Sequence, residues 1–184
     1  MKLFIFLTTL VAAFGLTTNV MWADPATQDF WAEAVVVPLK NNEAKAVGEA
    51  KLLQTPQGVL IKLDLSNFAP GTHAFHIHEK GKCDPPAFTS AGGHFSPSDE
   101  KHGILNPAGK HAGDLPNIHV PESGTLTLEA LATQVNLKDG DQRLFDENGS
   151  ALVIHTGSDD YRTDPAGAAG ERIACAVIAK PTTK

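Results

Sequence analysis

Six histidines and one aspartate carry the residue types and spacings with which this chain could do chemistry. His76 and His78 stand two apart, His94, His102 and His111 follow, Asp114 lies three residues after the last of these, and His155 comes later. Imidazole is neutral enough near pH 7 to coordinate metal and is the commonest metal ligand. Five or six imidazoles around a carboxylate are too many for one tetrahedral site. The set points to two metal ions that share ligands, and so to catalysis rather than to a single structural staple. His-x-His on a strand presents two imidazoles from a rigid support, which suits a metal that changes oxidation state without losing its ligands. An imidazole-only site suits Cu(II), and His155 can complete it. His94, His102, His111 and Asp114 offer three nitrogens and a carboxylate, a tetrahedral zinc set. His73 is read as structural or as supporting the ligands, and His119 as an ordinary surface residue.

These side chains need strands to hold them. Strand-like runs cover Ala32 to Val37 (stopped by Pro38), Val47 to Leu53, Val59 to Leu65, Thr72 to His78, Thr125 to Ala130, about Gln142 to Phe145, Ala151 to His155, and Arg172 to Ala179. Side chains on a strand repeat every two residues, so His76 and His78 share a face. From Glu79 to Pro121 no period holds, Gly and Pro are frequent, and most of the histidines lie there. A loop that long in a compact domain is functional or is held by something else, here metal and a cross-link. A second loop runs from Thr156 to Gly170. About eight short strands separated by turn signals, with no helical period outside the first residues, imply an all-β antiparallel sandwich or barrel. No internal repeat and no second domain is visible.

The first residues read differently. Lys2 is followed by an apolar stretch from Leu3 to Leu16 and by small residues ending near Ala23. That is the pattern of a secretory signal, and its uninterrupted apolar core is shorter than the ~20 residues of a membrane span. The expectation is a cleaved signal over 1–23, a mature domain over 24–184, and a periplasmic or secreted protein with no membrane attachment after cleavage. The two cysteines, Cys83 and Cys175, fit export to an oxidising compartment. A bridge between them would close a loop of about 90 residues. The alternatives are two buried thiols or zinc ligation, the latter unsupported by any CxxC spacing. The net charge of −6 argues against nucleic acid as a partner.

Taken in order, Phe75-His76-Ile77-His78-Glu79, Ser90-Ala91-Gly92-Gly93-His94-Phe95, His102-Gly103, His111-Ala112-Gly113-Asp114-Leu115-Pro116-Asn117, Val153-Ile154-His155 and Gly170-Glu171-Arg172-Ile173-Ala174-Cys175 resemble the copper/zinc superoxide dismutase family, from about Val35 to Lys180. The resemblance implies an eight-stranded antiparallel Greek-key barrel with two long functional loops. It implies an oxidoreductase that dismutes superoxide anion to oxygen and hydrogen peroxide by cycling a copper ion bridged through His94 to zinc. Copper would be held by His76, His78, His94 and His155, and zinc by His94, His102, His111 and Asp114. Cys83 and Cys175 match the family's disulfide, and Arg172 its anion-guiding arginine. Asp159 matches an aspartate that accepts hydrogen bonds from His78 and His102. Family members occur as monomers and as dimers, so a homodimer is among the assemblies the resemblance allows.

The chain also departs from the family pattern. Ala176 stands where glycine is usual, Thr156 to Arg162 lacks the Glu-Lys steering pattern of the eukaryotic forms, and the Cys83–His94 stretch is longer, as in bacterial exported members. Two other readings compete. A non-catalytic copper/zinc-binding protein of the same fold is expected to lack copper ligands or the arginine, and all are present here. A zinc hydrolase needs an open zinc position, which a four-ligand set does not leave.

Overall fold

The computed structural model describes residues 29–180; the expected signal over 1–23 lies outside them. Nine strands follow in order: β1 (Val35–Asn41), β2 (Ala46–Thr55), β3 (Gly58–Leu65), β4 (Gly71–His73), β5 (Phe75–His78), β6 (Ile118–Val120), β7 (Leu126–Ala132), β8 (Ser150–His155) and β9 (Arg172–Ile178). Seven form one antiparallel sheet in the order β5-β8-β9-β1-β2-β3-β7, and β4 pairs with β6. The chain crosses from β3 to the far edge at β5 and returns to β7 beside β3, so the crossovers are of Greek-key type. The sheet curls into a half-barrel around Leu39, Leu52, Ile61, Leu63, Phe75, Ile77, Leu152, Ile154 and Ile178, all fully buried. Each such side chain contributes roughly 1.5–3 kcal/mol through burial.

Alternation explains most of this. In β3, Ile61, Leu63 and Leu65 point inward and their neighbours are half-exposed. In β5 and β8 every residue is buried. Phe75 and Ile77 of β5, with Leu152 and Ile154 of β8, fill the barrel. On the opposite face, Ala151 and Val153 meet Phe88, Ala91 and Cys175 in a second, smaller core beneath the first long loop. His76 pairs with Val153 and His78 with Ala151, so both histidines project into the layer between sheet and loop.

Four strand expectations are corrected. The first strand starts at Val35 and runs through Pro38; Phe30–Glu33 is a 3-10 turn. Proline is tolerated because β1 meets β9 only at Lys40 and Asn41, which leaves an edge beside Pro38 without a ladder. Thr72 to His78 is broken at Ala74, whose N–H donates to the Gly157 carbonyl and whose carbonyl accepts from His155 N–H. The chain thereby leaves β6 and joins β8. Gln142 to Phe145 forms no strand: a single bridge joins Asn136 to Arg143, and Leu144 is a buried plug. Ile118–Val120, inside the expected loop, is a short strand.

Cys83 and Cys175 are joined in a disulfide with 92 residues of sequence separation. It ties the first long loop to β9. In the chain-entropy model such a loop is worth about 4–5 kcal/mol. Replacing both cysteines by serine is expected to lower the unfolding free energy by about that much, read from the urea midpoint; an unchanged midpoint would exclude the cross-link as a major stabiliser.

Candidate metal centre

Four buried side-chain nitrogens among the described residues have no hydrogen-bond partner: His76 Nδ1, His78 Nε2, His94 Nε2 and His155 Nε2. Buried polar groups are rarely left unpaired. These four belong to side chains whose ligand atoms lie within 4.8 Å of one another, so they define a donor set and suit a metal with imidazole preference. The opposite nitrogen of each ring is engaged. His76 Nε2 lies 2.8 Å from Asp159 Oδ2, His78 Nδ1 3.0 Å from the Gly92 carbonyl, and His155 Nδ1 3.3 Å from the Gly170 carbonyl. Such contacts fix which nitrogen carries the proton and leave the other free to ligate.

The second set converges on one carboxylate oxygen. Asp114 Oδ1 is 2.8 Å from His94 Nδ1, 3.1 Å from His102 Nδ1 and 3.2 Å from His111 Nδ1, and the His94 and His111 Nδ1 atoms are 3.3 Å apart. Ligands bonded at ~2.0–2.1 Å to a tetrahedral ion are separated by about 3.3 Å. Four donors at nearly that spacing fit zinc. The other carboxylate oxygen, Oδ2, accepts from Gly103 N–H (2.9 Å) and His111 N–H (3.1 Å), which aims Oδ1 into the cluster. Gly113 lets this turn lie against β5, because a side-chain carbon there would run into the Ile77 carbonyl. His94 belongs to both sets, with Nε2 facing one and Nδ1 the other.

Asp159 joins the sets from behind. Its Oδ2 meets His76 Nε2, and its Oδ1 meets His102 Nε2 at 2.9 Å and Tyr161 N–H at 2.6 Å. The expected partner His78 is therefore corrected to His76. Both histidines share a strand face, but His78 already donates to Gly92. Asn117 clasps the Asp159 backbone with both ends of its amide, at 2.9 and 2.8 Å, and Asp164 accepts from His102 N–H. Removing the bridging carboxylate charge, as in Asp159→Asn, is expected to weaken metal retention roughly 10–100-fold, read by competition with a chelator; full retention would deny Asp159 this role.

Electrostatics sort the histidines. Burial lowers His94 to about 4, although Asp114 opposes the shift, and burial lowers His155 to about 3. His78 is also held well below its usual value by burial. These rings are neutral at pH 7, as metal ligands must be. Burial opposes a charge on His102, but hydrogen bonds to Asp114 and Asp159 outweigh it and raise that ring to about 9 without metal, so a zinc ion bound there would have to displace its proton. Burial opposes ionisation of Asp114 and of Asp159, yet their hydrogen bonds hold both below the usual carboxylate range.

In the chelator-stripped protein these opposed shifts set the pH of greatest stability. Below the unfolded-state value of about 6.5, the unfolded chain takes up protons that folded His94 and His155 refuse, so stability falls toward acid. His102 works the other way: its contribution is complete below about 6.5 and is lost as pH rises through about 9. Thermal midpoints are expected to peak near pH 6.5. A midpoint that rises on going down to pH 5 would contradict the assignment of neutral buried rings.

Arg172 extends from β9 in register with His155. Its two terminal nitrogens donate to the carbonyls of Phe88 (2.7 Å) and Gly92 (2.6 Å), so the Gly92 oxygen serves Arg172 and His78 together. A cavity of about 460 Å³ opens beside Arg172, lined also by Pro86, Ala87, Thr89, Gly170 and Glu171. All six candidate histidines, Asp114, Asp159 and Arg172 are thus brought to one layer. His73 and His119 are not in it. His73 spans the carbonyls of His155 and Ala69, and exposed His119 meets Thr72. The Gly92 and Gly170 carbonyls, Asn117, Asp164 and Lys110 (whose ammonium binds the His111 and Asp114 carbonyls) act as supports that the sequence does not announce. For the carbonyls no residue type signals the role.

Fold and site together define a β-barrel metalloprotein with a paired imidazole centre. The profile of the family described as Copper/zinc superoxide dismutase (SODC) matches residues 46–178. The chain is 56% identical over 140 residues to superoxide dismutase [Cu-Zn] 1 of Aquifex aeolicus, covering 75% of this chain and 83% of that one. It is 44% identical over 150 residues to the Cu-Zn superoxide dismutase of Caulobacter vibrioides, covering 80% and 84%. Among solved structures, a double mutant of a SOD-like protein from Bacillus subtilis matches with a TM-score of 0.77 at 42% identity, covering 79% of this chain and 97% of that one. The chain belongs to the copper/zinc superoxide dismutase family.

Proposed function

We propose that this protein dismutes superoxide, with copper held by His76, His78, His94 and His155 and zinc by His94, His102, His111 and Asp114. The observation that carries this reading is the set of four unpaired buried imidazole nitrogens, with His94 turned to both clusters. Bound copper supplies the one-electron couple by which one superoxide is oxidised to oxygen and the next is reduced. The residues supply the rest. His94 Nε2 can hold a proton while Nδ1 stays in the Asp114 cluster, and can return it to the reduced oxygen species; a second proton from solvent completes hydrogen peroxide. Asp159 keeps His76 and His102 oriented through their Nε2 atoms. Arg172 offers a fixed planar cation to a small anion. The non-catalytic alternative loses ground because every copper-site histidine and the arginine are present in this chain.

The reading includes export: a signal over 1–23, cleaved near Ala23, delivers the chain to the periplasm or exterior. Its support is the residue pattern of that segment and the disulfide, which persists in oxidising compartments. Metal analysis of the purified mature protein alongside a dismutation assay tests the activity. Copper and zinc near one each with rapid superoxide loss is expected, and zinc alone without activity would overturn it. N-terminal sequencing of the protein from the periplasmic fraction tests export; an intact residue 1–23 segment on cytosolic protein would sink that part.

A further inference from the structure

The turn carrying two of the four zinc donors is closed by a residue outside the donor set. Lys110 is half-buried, and its ammonium donates to the carbonyl of His111 at 3.0 Å and to that of Asp114 at 3.1 Å. Those carbonyls belong to residues three apart. The same span is closed on its inner side by Asp114 N–H to the His111 carbonyl and by His111 N–H to Asp114 Oδ2. The lysine thus adds a third closure, from outside. The Asp114 and Glu100 carboxylates act on its charge through space, and it forms no salt bridge with either. A lysine that only served solubility would extend into water. This one holds two backbone oxygens.

We propose that Lys110 is a positioning residue for zinc, fastening His111 and Asp114 in ligating register by bridging their carbonyls. The inference rests on the zinc assignment made above. Physical chemistry sets two effects of the side chain against each other. As a charge, a cation beside a divalent ion repels it, so removal would tighten zinc. As a clasp, it reduces the freedom of two ligands, so removal would loosen zinc. Hydrogen bonds from a charged donor are among the strong ones, while the nearby Asp114 and Glu100 carboxylates offset the repulsion. The clasp is expected to dominate.

The test uses the full metal-loaded protein and follows zinc release to excess chromophoric chelator for wild type, Lys110→Met and Lys110→Arg. Methionine keeps the apolar stem and removes the donor; arginine keeps a charged donor of similar reach. Release from Lys110→Met is expected to be about ten- to a hundredfold faster, the energy scale of one hydrogen bond made by a charged group, and Lys110→Arg is expected to stay within about threefold of wild type on the same scale. With cobalt in place of zinc, the visible ligand-field bands of Lys110→Met should shift and broaden, which general destabilisation would not cause at temperatures where the protein stays folded. Slower release from Lys110→Met would show that charge alone acts and would overturn the proposal, as would equal release with an unchanged cobalt spectrum. Wild-type protein that retains no zinc would instead sink the zinc assignment itself.

Discussion

His94→Ala is expected to abolish dismutation, lowering the rate at least about a hundredfold, the upper range seen when even outer partners of ligands are lost. It should also weaken both metals together. The reason is in the ring's two faces. Nε2 joins His76 Nδ1, His78 Nε2 and His155 Nε2, while Nδ1 lies 2.8 Å from Asp114 Oδ1. Loss of His155 or of His111 removes one donor from one set. Loss of His94 removes one from each, along with the buried nitrogen proposed to carry a proton. The ring centroid of His94 lies 4.0 Å from that of His76 and 5.3 Å from that of His111, so no neighbouring side chain can move into its place without abandoning its own. Copper and zinc content by elemental analysis, with superoxide decay after pulse generation, checks this. Activity above about a tenth of wild type at full metal content would remove His94 from the proposed proton path, since that residual is a barrier change of only ~1.4 kcal/mol.

Much of this centre is legible in the chain because ligands are side-chain types, and types are what a sequence records. His76 and His78 declare a strand face by their spacing, and the strand is there. His94, His102, His111 and Asp114 converge as the resemblance implies. What is not legible has physical causes. Period-two spacing places His76 and His78 on the same face but does not say which ring meets Asp159; that depends on the Gly92 carbonyl occupying His78 Nδ1. Every residue has a carbonyl, so Gly92 and Gly170 carry no mark of their role. Leu144 looks like part of a strand because burial, not ladder bonding, selects its apolar side chain. Ile118–Val120 is three residues long, too short for any period to show. The break at Ala74 follows from the chain changing partners between β6 and β8, a tertiary event within a continuous strand pattern.

Arg172→Ala is expected to keep both metals and lower the dismutation rate about tenfold or more at low ionic strength, the lower range of electrostatic steering. The protein's net charge of −6 repels an anionic substrate at long range. A local positive field must therefore outweigh it at the metal centre, and Arg172 lines a surface cavity with its guanidinium held by the Phe88 and Gly92 carbonyls. Those bonds fix its direction, so its charge is presented without the entropy loss of ordering a free side chain. Salt separates steering from other roles. Screening at about 0.1 M shortens the field to ~10 Å, so the wild-type rate should fall as salt rises, while in Arg172→Ala the slope should flatten or invert as the repulsive net charge becomes the main term. One confounding effect has a structural origin: the Gly92 oxygen also fixes His78, so losing Arg172 could disturb a copper-site ring. Arg172→Lys resolves it. Lysine keeps the charge but lacks the planar fork that reaches two carbonyls, so a steering role predicts a rate between wild type and alanine with salt dependence largely retained. If lysine and alanine behave alike and both lose copper, the arginine acts by holding the loop; if alanine matches wild type at low salt, the guidance of superoxide lies elsewhere on the surface.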